Sequence, residues 1–278
     1  MRVLLADHAG ACYGVQRALD IAQKAVEHGE SAYTVGPLIH NPGVVRKLDE
    51  QGVHVAGDLD AVGQGTIIIR SHGVTPEEHD AIYAKGQPVV DATCPHVLRA
   101  QKAAAELGRS GCHVIVVGEA GHPEVLGLRA YAKAEGAAVY VVSSASDVPE
   151  DLQAPVGVVV QTTQRRENLD AIVERIRQMG NEPSIKDTIC FATSQRQQAA
   201  AELAGKVDAM VIIGGRNSSN TTRLAEICAQ KCQRAHHVES YEEIEPGWFE
   251  GCETIGVTAG ASTPEGQIGE VIAFLEQL

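Results

Sequence analysis

One interval constrains this chain more than any other feature: 28 residues separate a cysteine from a polar residue in a glycine loop, three times over. The cysteines are Cys12, Cys94 and Cys190, and the polar residues are His40, His122 and Ser218, so 40 − 12, 122 − 94 and 218 − 190 all equal 28. A fixed interval recurring without gaps marks a repeated supersecondary unit. Each copy reads extended chain, cysteine, helix, strand, glycine loop. The loops cover 36–42, 118–124 and 214–220, and two copies share an acid three residues before the cysteine, Asp91 and Asp187. A third element follows one more strand: Arg70-Ser71-His72-Gly73, Gln161-Thr162-Thr163 and Gly260-Ala261-Ser262-Thr263-Pro264. It sets a small polar or imidazole side chain just past a strand's C-terminal end, where open α/β sheets place their ligands.

The pattern between these landmarks is α/β. Apolar, β-branched runs at 32–35, 66–69, 88–90, 113–117, 156–160, 209–213 and 254–257 read as strands, and amphipathic stretches at 15–27, 97–107, 168–179 and 196–203 read as helices. Their alternation predicts largely parallel sheets. A chain of 278 residues holds three compact units of roughly 100 residues each. Three such lobes about a pseudo-threefold axis would bring three thiols and six polar loops to one central cavity.

Composition removes several classes of function. A formal charge of −13 argues against a nucleic-acid partner, whose phosphates need clustered Lys and Arg. No apolar run reaches the ~18 residues of a membrane span. The N-terminus meets Asp7 before an apolar signal region develops, so a cytoplasmic location is expected. Seven cysteines, odd in number and widely spread, do not make a disulfide scaffold. Cys112, Cys228, Cys232 and Cys252 read as small buried hydrophobes, with Cys228 and Cys232 four apart on a helix.

The remaining three thiols match a 4Fe–4S cluster with one iron left open. Coincidental burial and a closed zinc site are the competing readings, and zinc would need a fourth ligand and leave the polar loops without a task. The loops suit a diphosphate: His40 and His72 offer imidazoles, Ser218, Ser219 and Ser262 hydroxyls, and Asn220 an amide. Glycine-rich strand-to-helix turns add backbone N–H groups. Glu124 is the one carboxylate inside the three aligned loops, its counterparts being Pro42 and Asn220. Beside a hydroxyl leaving group it reads as a proton source; at the start of a helix it also reads as a complement to the helix dipole.

Taken together these motifs resemble the 4-hydroxy-3-methylbut-2-enyl diphosphate reductase family, the last step of the methylerythritol phosphate route to isoprenoids. The similarity runs along the whole chain, through Gly10-Ala11-Cys12-Tyr13-Gly14-Val15, Arg70-Ser71-His72-Gly73, Asp91-Ala92-Thr93-Cys94-Pro95, Gly121-His122-Pro123-Glu124, Asp187-Thr188-Ile189-Cys190 and Asn217-Ser218-Ser219-Asn220. The resemblance implies a 4Fe–4S cluster on Cys12, Cys94 and Cys190. It implies substrate contacts from His40, His72, His122, Thr162, Ser218, Ser219, Asn220 and Ser262, with Glu124 as the proton-transfer residue and Thr162 beside it. It implies a cloverleaf of three α/β lobes around the cluster, 14–93, 94–187 and 188–278, with an N-terminal strand in 1–13 lent to the third. The implied reaction reduces the allylic diphosphate to isopentenyl and dimethylallyl diphosphate, with two electrons from ferredoxin or flavodoxin, in a protein expected to be a monomer. Two positions depart from the family pattern: Ala11 replaces an aromatic, and Gly215-Arg216 a common Ser-Lys pair. A redox-neutral iron–sulfur hydro-lyase and a non-catalytic iron–sulfur sensor are the rival classes.

Overall fold

A computed structural model describes residues 1–27 and 29–278. From the N-terminus the elements are β1 (Arg2–Leu5), α1 (Tyr13–Val26), β2 (Ala32–Val35), α2 (Pro42–Glu50), β3 (Val53–Ala56), β4 (Thr66–Ile69), α3 (Pro76–Ala84) and β5 (Val89–Asp91). The middle of the chain adds α4 (Pro95–Arg109), β6 (His113–Val117), α5 (Pro123–Ala134), β7 (Val139–Val142), β8 (Val156–Val160), α6 (Arg166–Gln178) and β9 (Ser184–Lys186). The last third holds α7 (Phe191–Ala204), β10 (Ala209–Ile213), α8 (Ser219–Ala229), β11 (Ala235–Val238), β12 (Thr254–Ala259) and α9 (Glu265–Leu275). None of the described helices is long and apolar enough to cross a membrane.

The chain divides into two compact units. One comprises Met1–Gln16, His40–Val44 and Phe191–Leu278 and is built on a parallel sheet of order β1-β12-β10-β11. The other comprises Arg17–Ile39 and Val45–Cys190 and carries two parallel sheets, β3-β2-β4-β5 and β7-β6-β8-β9.

The three sheets share one topology. In each, the strand before the glycine loop (β2, β6, β10) lies beside the strand before the second polar element (β4, β8, β12). In the first two sheets the chain leaves these neighbours toward opposite edges, to β3 and β5 or to β7 and β9, so the gap between them is a topological switch point, where open parallel sheets bind ligands; in the third it leaves β10 for β11, while β12 is the last strand. The fourth strand (β5, β9, β1) is an edge and runs into the cysteine. In the third sheet that strand is the N-terminal one, with Leu4 opposite Gly256.

Burial explains which strands the sequence displays. Every residue of β4, β8 and β10 is buried, as suits a parallel strand covered on both faces. Burying each Ile or Val there contributes about 1.5–3 kcal/mol. All six edge strands, β1, β3, β5, β7, β9 and β11, are only partly buried, and in β3, β9 and β11 polar residues interrupt the apolar run. Two expected segments shift slightly: 88–90 becomes Val89–Asp91, and 254–257 extends to Ala259.

Helix starts follow local chemistry. Four helices, α2 to α5, open on proline, whose missing N–H costs nothing in the first turn. Cys112, Cys228 and Cys232 are buried as expected, but Cys232 lies past the end of α8. Cys252 departs further: it is half-buried and takes a contact of 3.1 Å from Arg234 Nη1.

Candidate active site

The three repeated cysteines are held in the same way. The Cys12 N–H donates to the Ala261 carbonyl at 3.1 Å, the Cys94 N–H to Ser71 at 2.9 Å and the Cys190 N–H to Thr162 at 3.0 Å. Each acceptor is the second residue past the strand that ends in Ala259, Ile69 or Val160, so every thiol is registered against a polar loop of its own sheet. The acid before the cysteine has a structural task. The Asp91 carboxylate accepts the Thr93 N–H at 2.8 Å, and that of Asp187 accepts the Ile189 N–H at 3.2 Å, turning the chain into the helix. The first copy turns instead on Gly10, at φ +96°, where a Cβ would stand 2.9 Å from Ile268. Cys94 occupies the cap position of α4, yet its thiol makes no capping hydrogen bond. All three thiols are half-buried, whereas Cys112 and Cys228 lie inside apolar clusters. Partly exposed thiols of this kind are the soft donors that iron–sulfur clusters take.

Around His72 the loop is braced from below. Ser71 donates through its hydroxyl to the Leu38 carbonyl at 2.8 Å and through its N–H at 3.2 Å, tying the 70–73 turn to the first glycine loop. Arg70 donates to the carbonyls of Val35 at 3.1 Å and Gly73 at 3.3 Å, and burial lowers its pKa. Gly36, at φ +73°, leaves the space Arg70 needs, since a Cβ would sit 2.5 Å from Nη1. The His72 and His122 rings meet edge to face, 5.5 Å apart.

His122 caps α5. Its Nδ1 accepts the Glu124 N–H at 3.1 Å, so the neutral ring carries its proton on Nε2. Glu124 is 2 % exposed. Its Oε1 accepts the Thr162 N–H at 2.7 Å and its Oε2 the Thr162 hydroxyl at 2.9 Å. Burial raises its pKa to about 7, against the opposing pull of those two hydrogen bonds. A carboxyl so placed holds or releases a proton near neutrality. Gln161, buried behind it, accepts the Glu119 N–H at 3.1 Å and donates to the Thr163 hydroxyl at 3.1 Å, fixing the loop on both sides of Thr162.

The candidate ligand groups of the third glycine loop, Ser218, Ser219 and Asn220, are neutral. Ser218 caps α8, its hydroxyl accepting the Thr221 N–H at 3.3 Å, and Ser219 and Asn220 are buried in the first turn. Both polar atoms of the Asn220 amide are buried with no hydrogen-bond partner among the described residues. The Ser262 hydroxyl donates to the His40 carbonyl at 3.0 Å. Arg216, one of the two departures noted in the sequence, is exposed and paired with the Glu243 carboxylate at 2.8 Å. It is a scaffold cation that anchors the loop.

Aligning loops on their first glycine places His40 with the capping residues His122 and Ser218. The structure shifts that role by one residue in the first loop, where Asn41 Oδ1 accepts the Val44 N–H at 3.1 Å. The bracing residues Arg70, Ser71, Gln161 and Asn41 were not among the expected site residues. All four stood in the repeated motifs, Asn41 in the first glycine loop and the others just after β4 and β8, and those places were the available signal.

The sequence matches the LytB protein family over residues 3–276. It is 48% identical over 279 residues to the 4-hydroxy-3-methylbut-2-enyl diphosphate reductase of Pelobacter propionicus, covering 100% of this chain and 99% of the relative. It is 50% identical over 274 residues to the enzyme of that name from Geobacter sp. strain M21, with 98% and 96% covered. A solved structure of (E)-4-hydroxy-3-methyl-but-2-enyl diphosphate reductase, described as the terminal enzyme of the non-mevalonate pathway, superposes with a TM-score of 0.73 at 40% identity, covering 100% of both chains. The Plasmodium falciparum reductase gives 0.89 at 25% identity, covering 100% of this chain and 87% of that one.

Proposed function

This chain belongs to the LytB protein family and is an oxidoreductase, and we propose that it converts 4-hydroxy-3-methylbut-2-enyl diphosphate to isopentenyl and dimethylallyl diphosphate. The balance is one C–O bond broken, one C–H bond formed and one water released, for two electrons and two protons. We assign Cys12, Cys94 and Cys190 as ligands of one 4Fe–4S cluster, and lobes 14–93, 94–187 and 188–278 as the three units of the chain, the last completed by β1. When bound, the cluster supplies the two electrons and a Lewis-acidic iron at its open corner.

The rest is the work of the chain. His40, His72 and His122 offer ring donors to the diphosphate, and Ser218, Ser219, Asn220 and Ser262 offer neutral ones, so that little formal charge is buried before the ligand arrives. Glu124 holds the proton that lets the hydroxyl leave as water, and Thr162 fixes both its oxygens. The single observation that carries the reading is the run Glu124–Thr162–Cys190. Thr162 donates twice to the carboxylate, while its carbonyl accepts the N–H of an assigned cluster ligand. A proton source and an electron entry are thereby fixed through one residue.

Electrons are proposed to come from ferredoxin or flavodoxin, and the protein to act as a cytoplasmic monomer. The test is anaerobic. Protein with its full iron and sulfide should form both products only when a reductant is supplied. Reductant-independent loss of water would favour the hydro-lyase class instead. Cys94→Ser should lose the visible absorbance, the iron and all activity, while Cys112→Ser retains them; full iron content in the Cys94→Ser protein would overturn the ligand assignment.

A further inference from the structure

Asn41, next to the first-loop histidine, has no part in the reading above. Its side chain is 2 % exposed and fully engaged. Oδ1 accepts the Val44 N–H, capping α2. Nδ2 donates twice, to the Ser262 carbonyl at 2.9 Å and to Gln267 Oε1 at 3.0 Å. Ser262 answers through its hydroxyl, which donates to the His40 carbonyl at 3.0 Å. Gln267, on α9, donates its own Nε2 to the Glu239 carbonyl. The Glu239 carboxylate accepts the Arg216 N–H of the third glycine loop at 2.7 Å. One hydrogen-bonded chain therefore runs from the His40 segment through the Ser262 turn to the loop of Ser218 and Asn220.

Capping requires only the oxygen, and Ser or Asp caps a helix as well as Asn does. The amide NH₂ is surplus to that task, and it bridges positions 221 apart in the chain. At this reach only Asn combines one acceptor with two coplanar donors. The fit is close on the other side too, since a Cβ at Gly215 would lie 2.7 Å from the His40 carbonyl.

We infer that Asn41, backed by Gln267, is a positioning residue that sets the register of His40 against Ser262. This rests on the reading of those two residues as diphosphate ligands. It treats the first loop as something docked onto the last turn of the chain by one amide, without any contact between Asn41 and the ligand.

Two variants separate positioning from capping. Asn41→Ser keeps a cap and deletes the bridging amide; Gln267→Leu leaves Asn41 in place and removes its partner. Each is compared with the parent holoprotein by calorimetric titration with inorganic diphosphate, and by KM and kcat. Both should bind diphosphate about tenfold more weakly, with a matching rise in KM and little change in kcat. In a Ser262→Ala background Asn41→Ser should cost less than it does alone, because the two act on one element. Unchanged diphosphate affinity in both variants, with only a lowered melting temperature, would overturn the inference and leave the diphosphate reading standing. So would effects of Asn41→Ser and Ser262→Ala that simply multiply. If His40→Ala and Ser262→Ala themselves leave diphosphate binding intact, the ligand reading falls and the inference falls with it.

Discussion

The second and third glycine loops occupy equivalent places, each 28 residues from its cysteine and capped by the residue at that interval, yet their next buried polar groups are opposites. Glu124 is sealed and satisfied, both carboxylate oxygens bonded to Thr162. Asn220, at the same loop position, is equally sealed, and neither of its polar atoms is bonded among the described residues. A satisfied buried group is stable at rest and suited to moving a proton between two well-defined states. An unsatisfied one costs about 1–3 kcal/mol and is retained where a ligand will complete it. On the proposed reading one loop is finished before substrate arrives and the other is finished by it, the same backbone serving proton chemistry in one repeat and anion binding in the next.

The largest expected break in this contrast comes from Glu124→Gln. The amide keeps the shape but has no proton to give, so kcat should fall ~10²–10⁴-fold with KM nearly unchanged. Steady-state kinetics across pH sharpen the point. With protonated Glu124 as the proposed working form, the parent rate should decline as pH rises through about 7, and the Gln variant should lack that limb. Near-normal turnover in the variant would reduce Glu124 to a helix-start acid.

Asn220→Leu should act with opposite signs on stability and binding. Removing an unbonded amide should stabilise the ligand-free protein by up to about 1–3 kcal/mol, seen as a higher melting temperature, and raise KM about tenfold or more. Loss of stability together with unchanged KM would show that the amide has a partner in solution and no ligand. For comparison, His72→Ala should raise KM by the 1.5–3 kcal/mol of a charge-assisted hydrogen bond and leave the cluster absorbance intact. An unchanged response to inorganic diphosphate would remove His72 from the site.

The smallest effect concerns stability alone. Burial raises the folded Glu124 carboxyl from 4.5 to about 7, so the folded state holds its proton longer than the unfolded chain does. Below about 4.5 both states are protonated and the group is neutral to stability. As pH rises from there to about 7 the unfolded chain ionises first, and the parent protein loses stability through that window. The melting temperatures of parent and Glu124→Gln should therefore diverge from pH 4.5 to 7 and run parallel above it. A constant difference at all pH would place the carboxyl in contact with water.

Much of this molecule was legible because its information is local or periodic. The central strands announce themselves as unbroken apolar runs, and the 28-residue interval marks cysteines and loops in register. Edge strands such as His54 in β3 and Lys186 in β9 carry polar residues toward solvent and give no such run. The buried waiting amide of Asn220 looked like one more polar residue near a cap. That it finds no hydrogen-bond partner among the described residues is a property of surrounding space.

The sequence by itself determined the α/β class, the threefold repeat, the family and the chemistry of the candidate donors, since periodicity, glycine placement and side-chain type are written residue by residue. Tertiary structure alone decided which of those donors are satisfied. Thr162 reaches Glu124 across 38 positions, and Asn41 reaches Ser262 across 221. Glu124 gains its raised pKa from burial. Desolvation and long-range hydrogen bonding depend on what lies within a few ångströms, and only the folded chain brings such neighbours together.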